Sequence, residues 1–144
     1  MPITVKNNTR LAELGSSLRD RIRQELRDAL PGMRDRIRQR TLSGQDANNR
    51  AFEPYNTDYR RFKDREAIFG GSPVNLALTG DMLNSLDVEV SSSGPVTAKI
   101  QVTGGFNRDK ARFNSNRRFM GLDRAQRTEL ARRIRNAIAG VRRR

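Results

Sequence analysis

The sequence contains no cysteine, no histidine and no tryptophan. Without cysteine there are no disulfides, thiolate metal sites or thiol nucleophiles. Without histidine, serine–histidine and cysteine–histidine catalysis, imidazole zinc sites and the commonest general base near neutral pH are also removed. An enzyme would have to work with carboxylates, lysine, arginine or hydroxyls. No paired carboxylates, phosphate-binding glycine loop or metal constellation accompanies them. The expectation is a non-enzymatic protein with no cofactor. No apolar run approaches the roughly 18 residues of a membrane span. No charged-then-apolar leader opens the chain, so the reading is no membrane and a protein made and used in cytoplasm.

Hydrophobic residues make up 35% and aromatics 6% of the 144 residues. That length suits a single domain over 1–144 with a modest core, leaving much of each helix to water or to a partner. The net charge of +13 is unevenly spread. Residues 1–42 hold ten basic and five acidic side chains, residues 43–105 six and eight, and residues 106–144 thirteen and three. A slightly acidic centre between basic ends points to polyanions or acidic protein surfaces near those ends, or to solvated helix faces.

The stretch Leu76-Ala77-Leu78-Thr79-Gly80-Asp81-Met82-Leu83-Asn84-Ser85-Leu86 is the longest nearly uncharged apolar run. Its apolar spacing changes at Thr79-Gly80 from alternation to helical steps, which predicts a short extended approach and then a short helix. Thr79 is the expected cap, with Gly80 and Asp81 in the first turn. Before it, residues 1–8 read as an arm. Leu11, Leu14, Leu18, Ile22, Leu26, Leu30, Met33 and Ile37 then trace a long amphipathic helix, either kinked or split in two at Pro31-Gly32. Arg19, Arg21, Arg23, Arg27, Arg34, Arg36, Arg38 and Arg40 are assigned to its outer face, where Arg21 and Glu25 stand at pairing distance. A polar loop at 43–50 leads through Phe52-Glu53-Pro54-Tyr55 to a helix capped by Asn56 or Thr57 and running to about Phe69.

After the central run, 87–90 and 96–102 predict a β-hairpin, with Val96, Ala98, Ile100 and Val102 on one face. Two strands alone are marginal and need packed helices, a third strand, or strands from neighbouring subunits. The segment 104–118 mixes arginines with Phe106 and Phe113 and shows no clear period. Asp123 and Gln126 form a capping-box pattern opening a last helix. Its stripe is Leu130, Ile134, Ala137, Ile138 and Val141, and its outer face is assigned Arg124, Arg127, Arg132, Arg133 and Arg135. Arg142, Arg143 and Arg144 form a basic tail, the candidate polyanion contacts. The fold class is thus α+β, with a long N-terminal helix, short central helices, a hairpin or small antiparallel sheet, and a C-terminal helix.

This order of segments resembles the virion-morphogenesis, or tail-completion, proteins of long-tailed bacteriophages. The resemblance is carried by the charged N-terminal helix, Phe52-Glu53-Pro54-Tyr55 leading to Tyr59 and Lys63, the run 78–86, the hairpin, and Arg117-Arg118-Phe119-Met120-Gly121-Leu122. It covers about 11–138. Where the family commonly has a proline between the arginine and phenylalanine of the last stretch, this sequence has Arg118, and the family's frequent histidine after the hairpin is missing. The resemblance implies a neck protein of the virion, present in host cytoplasm during assembly, that forms a ring of its own copies at the head–tail junction. Its neighbours would be portal or adaptor and tail-tube or tail-terminator proteins, with possible contact to packaged DNA. Leu78, Met82, Leu83, Leu86, Phe119 and Leu122 are then the expected structural hub, and Arg117, Arg118, Arg124 and Arg127 the candidate subunit or partner contacts. The alternative is a basic nucleic-acid-binding protein using the arginine-rich C-terminal region.

Overall fold

The computed structural model describes residues 8–142 apart from 69, 78 and 79, with side chains described from 14 to 141. The fold is α+β. A 35-residue helix, α1 (Asn8–Leu42), is followed by α2 (Thr57–Glu66), α3 (Asp81–Asn84), strands β1 (Leu86–Val90) and β2 (Ala98–Val102), α4 (Gly105–Phe113), a 3-10 turn (Ser115–Arg117) and α5 (Arg124–Arg142). Residue 8 therefore belongs to the helix rather than to an arm, and the expected arm 1–7 lies outside the described residues. Arg142 likewise ends α5 instead of opening a tail; Arg143 and Arg144 lie outside the described residues.

The helix α1 passes through Pro31 as one element, so the two-helix alternative is not realised. Proline costs a helix interior about 3 kcal/mol through its missing donor and its clash with the preceding turn. Each large apolar side chain buried contributes about 1.5–3 kcal/mol. Leu26, Ala29 and Leu30 before the proline and Met33 and Ile37 after it are all buried on one face. That shared face outweighs the local penalty.

Two of the arginines assigned to the outer face of α1 are buried instead, Arg23 and Arg40. The reason is helical phase. Arg23 stands three residues before Leu26 and Arg40 three after Ile37, so both continue the apolar stripe at its two ends. Arg23 donates to the carbonyl of Gly94 at the hairpin tip and to Asp20. Arg40 donates to the carbonyls of Phe119 (3.1 Å) and Gly121 (2.9 Å) and lies 3.6 Å from the Asp123 carboxylate. Burial lowers the Arg40 pKa from its ordinary value, with Asp123 and Asp46 acting against that shift.

The strands pair antiparallel with Leu86 opposite Val102, Val88 opposite Ile100 and Val90 opposite Ala98. Leu86 thus opens a strand rather than closing the short helix. Val88, Val90, Val96 and Ile100 pack towards Leu26, Leu30 and Met33 of α1. α5 lies along α1 as well. Glu129 of α5 bonds Arg36 of α1 at 2.8 Å and Arg133 at 3.3 Å, and Arg133 in turn meets Glu25 at 3.5 Å. Glu25 is therefore engaged by α5 rather than by Arg21. Donation from Arg36, the larger cause, and from Arg133 holds the Glu129 carboxyl below its usual range.

The capping box at the start of α5 forms as expected. The Asp123 N–H donates to Gln126 Oε1 (2.9 Å), and the Gln126 N–H donates to Asp123 Oδ1 (2.8 Å). Unexpectedly, the Gln126 side chain is fully buried. Its Nε2 donates to the Met33 carbonyl of α1 at 3.0 Å, and its Oε1 also faces Arg40 at 3.5 Å. Gln126→Ala removes the box and leaves the Met33 side of the contact empty. It should lower unfolding free energy by about 2–4 kcal/mol in urea titration. A change under about 0.5 kcal/mol would contradict this account.

Candidate functional site

The main core cluster draws Ile37 from α1, Phe52 from the loop after it, Leu76 and Ala77, Met82 and Leu83 of α3, Leu86 of β1, Val102 of β2, and Phe119. Of the expected hub, Met82, Leu83, Leu86 and Phe119 sit in this cluster and Leu122 packs against its edge. Leu78 lies outside the described residues, as does the expected cap Thr79. Gly80 takes the N-cap position of α3 with φ 87°, a left-handed conformation that glycine adopts without a Cβ penalty, and Asp81 occupies the first turn.

The approach to α3 is not simply extended. Leu76 has φ 53°, a strained value for a non-glycine residue. Its N–H donates to the Tyr55 hydroxyl at 3.0 Å, and the side chain is buried in the cluster. Those two attachments hold the conformation.

Tyr55 is also the centre of a cation cluster that charge pattern did not reveal. Lys63 of α2, whose exposure is 0%, donates to Asn75 Oδ1 (2.6 Å) and to the Tyr55 hydroxyl (3.3 Å), with its ammonium 4.8 Å from the Tyr55 ring centre. Asn75 in turn accepts from the Ala77 N–H and donates to the Gly70 carbonyl. The loop 70–77 is thereby tied to α2. Arg117 lies 5.1 Å from the same ring and donates to the Glu53 carbonyl at 2.6 Å. Burial pushes the Lys63 pKa down to about 8 and the Tyr55 hydroxyl above its usual value of 10.

α2 is shorter than expected, ending at Glu66, and its N-cap is Asn56, which accepts the Tyr59 N–H at 2.8 Å. Its aromatic side chains, Tyr59 and Phe62, are exposed while Lys63 is enclosed. The segment 104–118, read without a period, contains α4. Its apolar stripe is thin, since Ala111 packs on the core while Phe106 (75%) and Phe113 (87%) face outwards.

The candidate contact arginines are divided by this arrangement. Arg117 is held by Glu53 and Tyr55. Arg118 is exposed with φ 48°, and its carbonyl accepts the Ala47 N–H at 3.0 Å. Arg124 and Arg127 are exposed on α5, as are Arg132 and Arg135. The Arg142 side chain, Arg143 and Arg144 lie outside the described residues. Among the described residues no group of His, Cys, Asp or Glu gathers where a metal ion could be held, and no helix is long and apolar enough to cross a membrane.

No protein-family profile, curated protein or solved structure matches this chain.

The Lys63 environment sets a pH dependence of stability. Its folded pKa, about 8, lies below the 10.5 of a free lysine. Between those values the unfolded chain binds the extra proton, so stability rises with pH. Tyr55 opposes this above about pH 10, because its folded pKa is raised. With no cysteine or histidine to titrate, midpoints of urea unfolding should climb from pH 8 to 10 and flatten in Lys63→Met. An unchanged slope in that variant would rule out Lys63 as the cause. At the hub, Leu83 is buried in the main cluster. Leu83→Asp should abolish cooperative unfolding by circular dichroism, because an unpaired charge there has no partner; a folded variant would refute the hub.

Proposed function

We propose that this chain is a non-enzymatic structural protein of the phage neck, resembling tail-completion proteins, that forms a ring at the head–tail junction and permits heads and tails to join. The observation that carries this reading is the convergence of the stretches on which the resemblance rests. Phe52, Met82, Leu83, Leu86 and Phe119 come from three such stretches and share one cluster, while Tyr55, Lys63 and Arg117 from the same stretches form the adjoining cation cluster. Residues placed together in this way account for the motifs as one built feature. The large apolar side chains left outside the core, Leu14, Ile68, Phe106 and Phe113, fit a subunit that completes its packing against copies of itself or neck neighbours.

A nucleic-acid-binding role is favoured by a different observation. The outer face of α5 presents Arg124, Arg127, Arg132 and Arg135, while Asp123 and Glu129 are committed to arginines on the inner side. Such a face suits phosphates. Substituting Arg132 and Arg135, which lie outside the candidate subunit contacts, by glutamine separates the two roles. In a neck ring, assembly persists; in a nucleic-acid binder, salt-dependent retention of duplex DNA on a gel is lost. For the neck role itself, particles made without this protein should appear in electron micrographs as filled heads beside separate tails. Normally joined particles in its absence would refute the assignment.

A further inference from the structure

Arg23 of α1 joins the hairpin tip to the helix by donating to the Gly94 carbonyl and to Asp20, and its side chain is only 7% exposed. Beside that joint lies a cleft of about 580 Å³. Ser16, Arg19 and Arg23 of α1 form one wall, and residues 92–95 of the tip form the other. The lining holds two guanidinium groups and three serines and no carboxylate. The polar cleft between the loop 46–53 and the turn at 116–118 also holds arginines, but Asp46 and Glu53 stand in its lining.

The hairpin cleft has more donors than the fold uses. A guanidinium carries five N–H donors. Arg23 bonds through Nη1 and Nη2, while its Nε is buried without a partner among the described residues. Arg19 is exposed and forms no hydrogen bond or ion pair with them. At the tip, Ser91 uses its hydroxyl within the loop, accepting the Thr97 N–H at 3.0 Å and donating to the Pro95 carbonyl at 2.9 Å. Ser92 and Ser93 are exposed, and their hydroxyls have no such partner among the described residues.

Charge favours an anion there. Arg19 and Arg23 stand one turn apart on the same face of α1, and like charges at that spacing repel. An anion between them would relieve the repulsion. Asp20 offsets only part of it, because it lies 2.9 Å from Arg23 Nη1 with its side chain 68% exposed, where water screens it. The donor set also selects among anions. A carboxylate brings two oxygens, whereas a phosphate group presents more acceptors in a tetrahedral array and can meet guanidinium groups and hydroxyls together.

We infer that this cleft binds a phosphate group, of inorganic phosphate or of a nucleic-acid backbone, between Arg19 and the hydroxyls of Ser92 and Ser93, with Arg23 as the fixed positive charge of the wall. The bound group ties the hairpin tip to α1, so it stabilises the folded chain as any ligand of the folded state does. The inference does not depend on the neck reading.

The test measures binding of radiolabelled inorganic phosphate by equilibrium dialysis, and of a short labelled DNA duplex by fluorescence anisotropy, with the full chain and three variants. Arg19→Gln removes a guanidinium from the cleft, Ser92→Ala with Ser93→Ala removes hydroxyls without changing charge, and Arg27→Gln removes the same charge from α1 outside the cleft. All four positions are exposed, so circular dichroism should show each variant folded. The expected result is saturable binding of one phosphate per chain that acetate does not displace. Arg19→Gln and the serine pair should each weaken it about tenfold, and Arg27→Gln should leave it unchanged. The same pattern with duplex DNA alone also supports the site and makes the phosphodiester backbone its ligand. Phosphate binding that acetate displaces equally, or that the Arg19 and serine variants leave unchanged, overturns the inference. So does the absence of phosphate saturation together with DNA affinity that Arg19→Gln and Arg27→Gln lower equally.

Discussion

Arg40 reaches out of the last turns of α1 and binds the carbonyls of Phe119 and Gly121 while facing the Asp123 carboxylate. The turn it holds is the one that delivers Phe119 to the core and Asp123 and Gln126 to the start of α5. Gln126 completes the junction by bonding the Met33 carbonyl. Three requirements meet in that turn: an aromatic side chain must be buried, a helix must be started, and two helices must be kept in register. A guanidinium can serve all three because its planar fork offers several donors at fixed angles.

The same economy recurs elsewhere. With 35% hydrophobic residues and 29 lysines and arginines, the chain lacks the apolar mass to tie every loop to a core. Arg23 secures the hairpin tip through the neutral Gly94 carbonyl, and Lys63 secures the loop 70–77 through the neutral Asn75 amide oxygen. A buried cation costs solvation free energy, and hydrogen bonds to oxygens offset part of that cost. The alkyl stems of these side chains also fill space that would otherwise need apolar residues. Long basic side chains therefore act here as connectors between elements as well as surface charges.

Apolar period and cap chemistry made much of the fold legible: the long stripe of α1, the hairpin, the Asn56 cap, and the Asp123–Gln126 box each rest on a local rule. What was not legible depends on distant partners. Arg23 and Arg40 are in phase with the stripe, but whether a basic side chain at the end of a stripe folds inwards depends on carbonyls at 94, 119 and 121. Nothing near Lys63 in sequence announces Asn75. Helix α4 escaped because the apolar residue it packs against the main cluster is the small Ala111, while its two phenylalanines face outwards. At the hub, Met82, Leu83, Leu86 and Phe119 were legible as apolar residues in motif stretches, whereas the left-handed Leu76 depends on a tyrosine hydroxyl 21 positions earlier.

The span of the Arg40–Gln126 contact, 86 positions along the chain, has a consequence for synthesis. A ribosome releases α1 ahead of the hairpin and α5 that cover its apolar face. The hairpin supplies part of the cover, but Phe119 and the start of α5 emerge much later. Until then α1 has neither its antiparallel helix nor the turn that Arg40 grips. α1 is thus made well before it is secured, and the nascent chain carries an open apolar stripe until the residues around Gln126 have emerged.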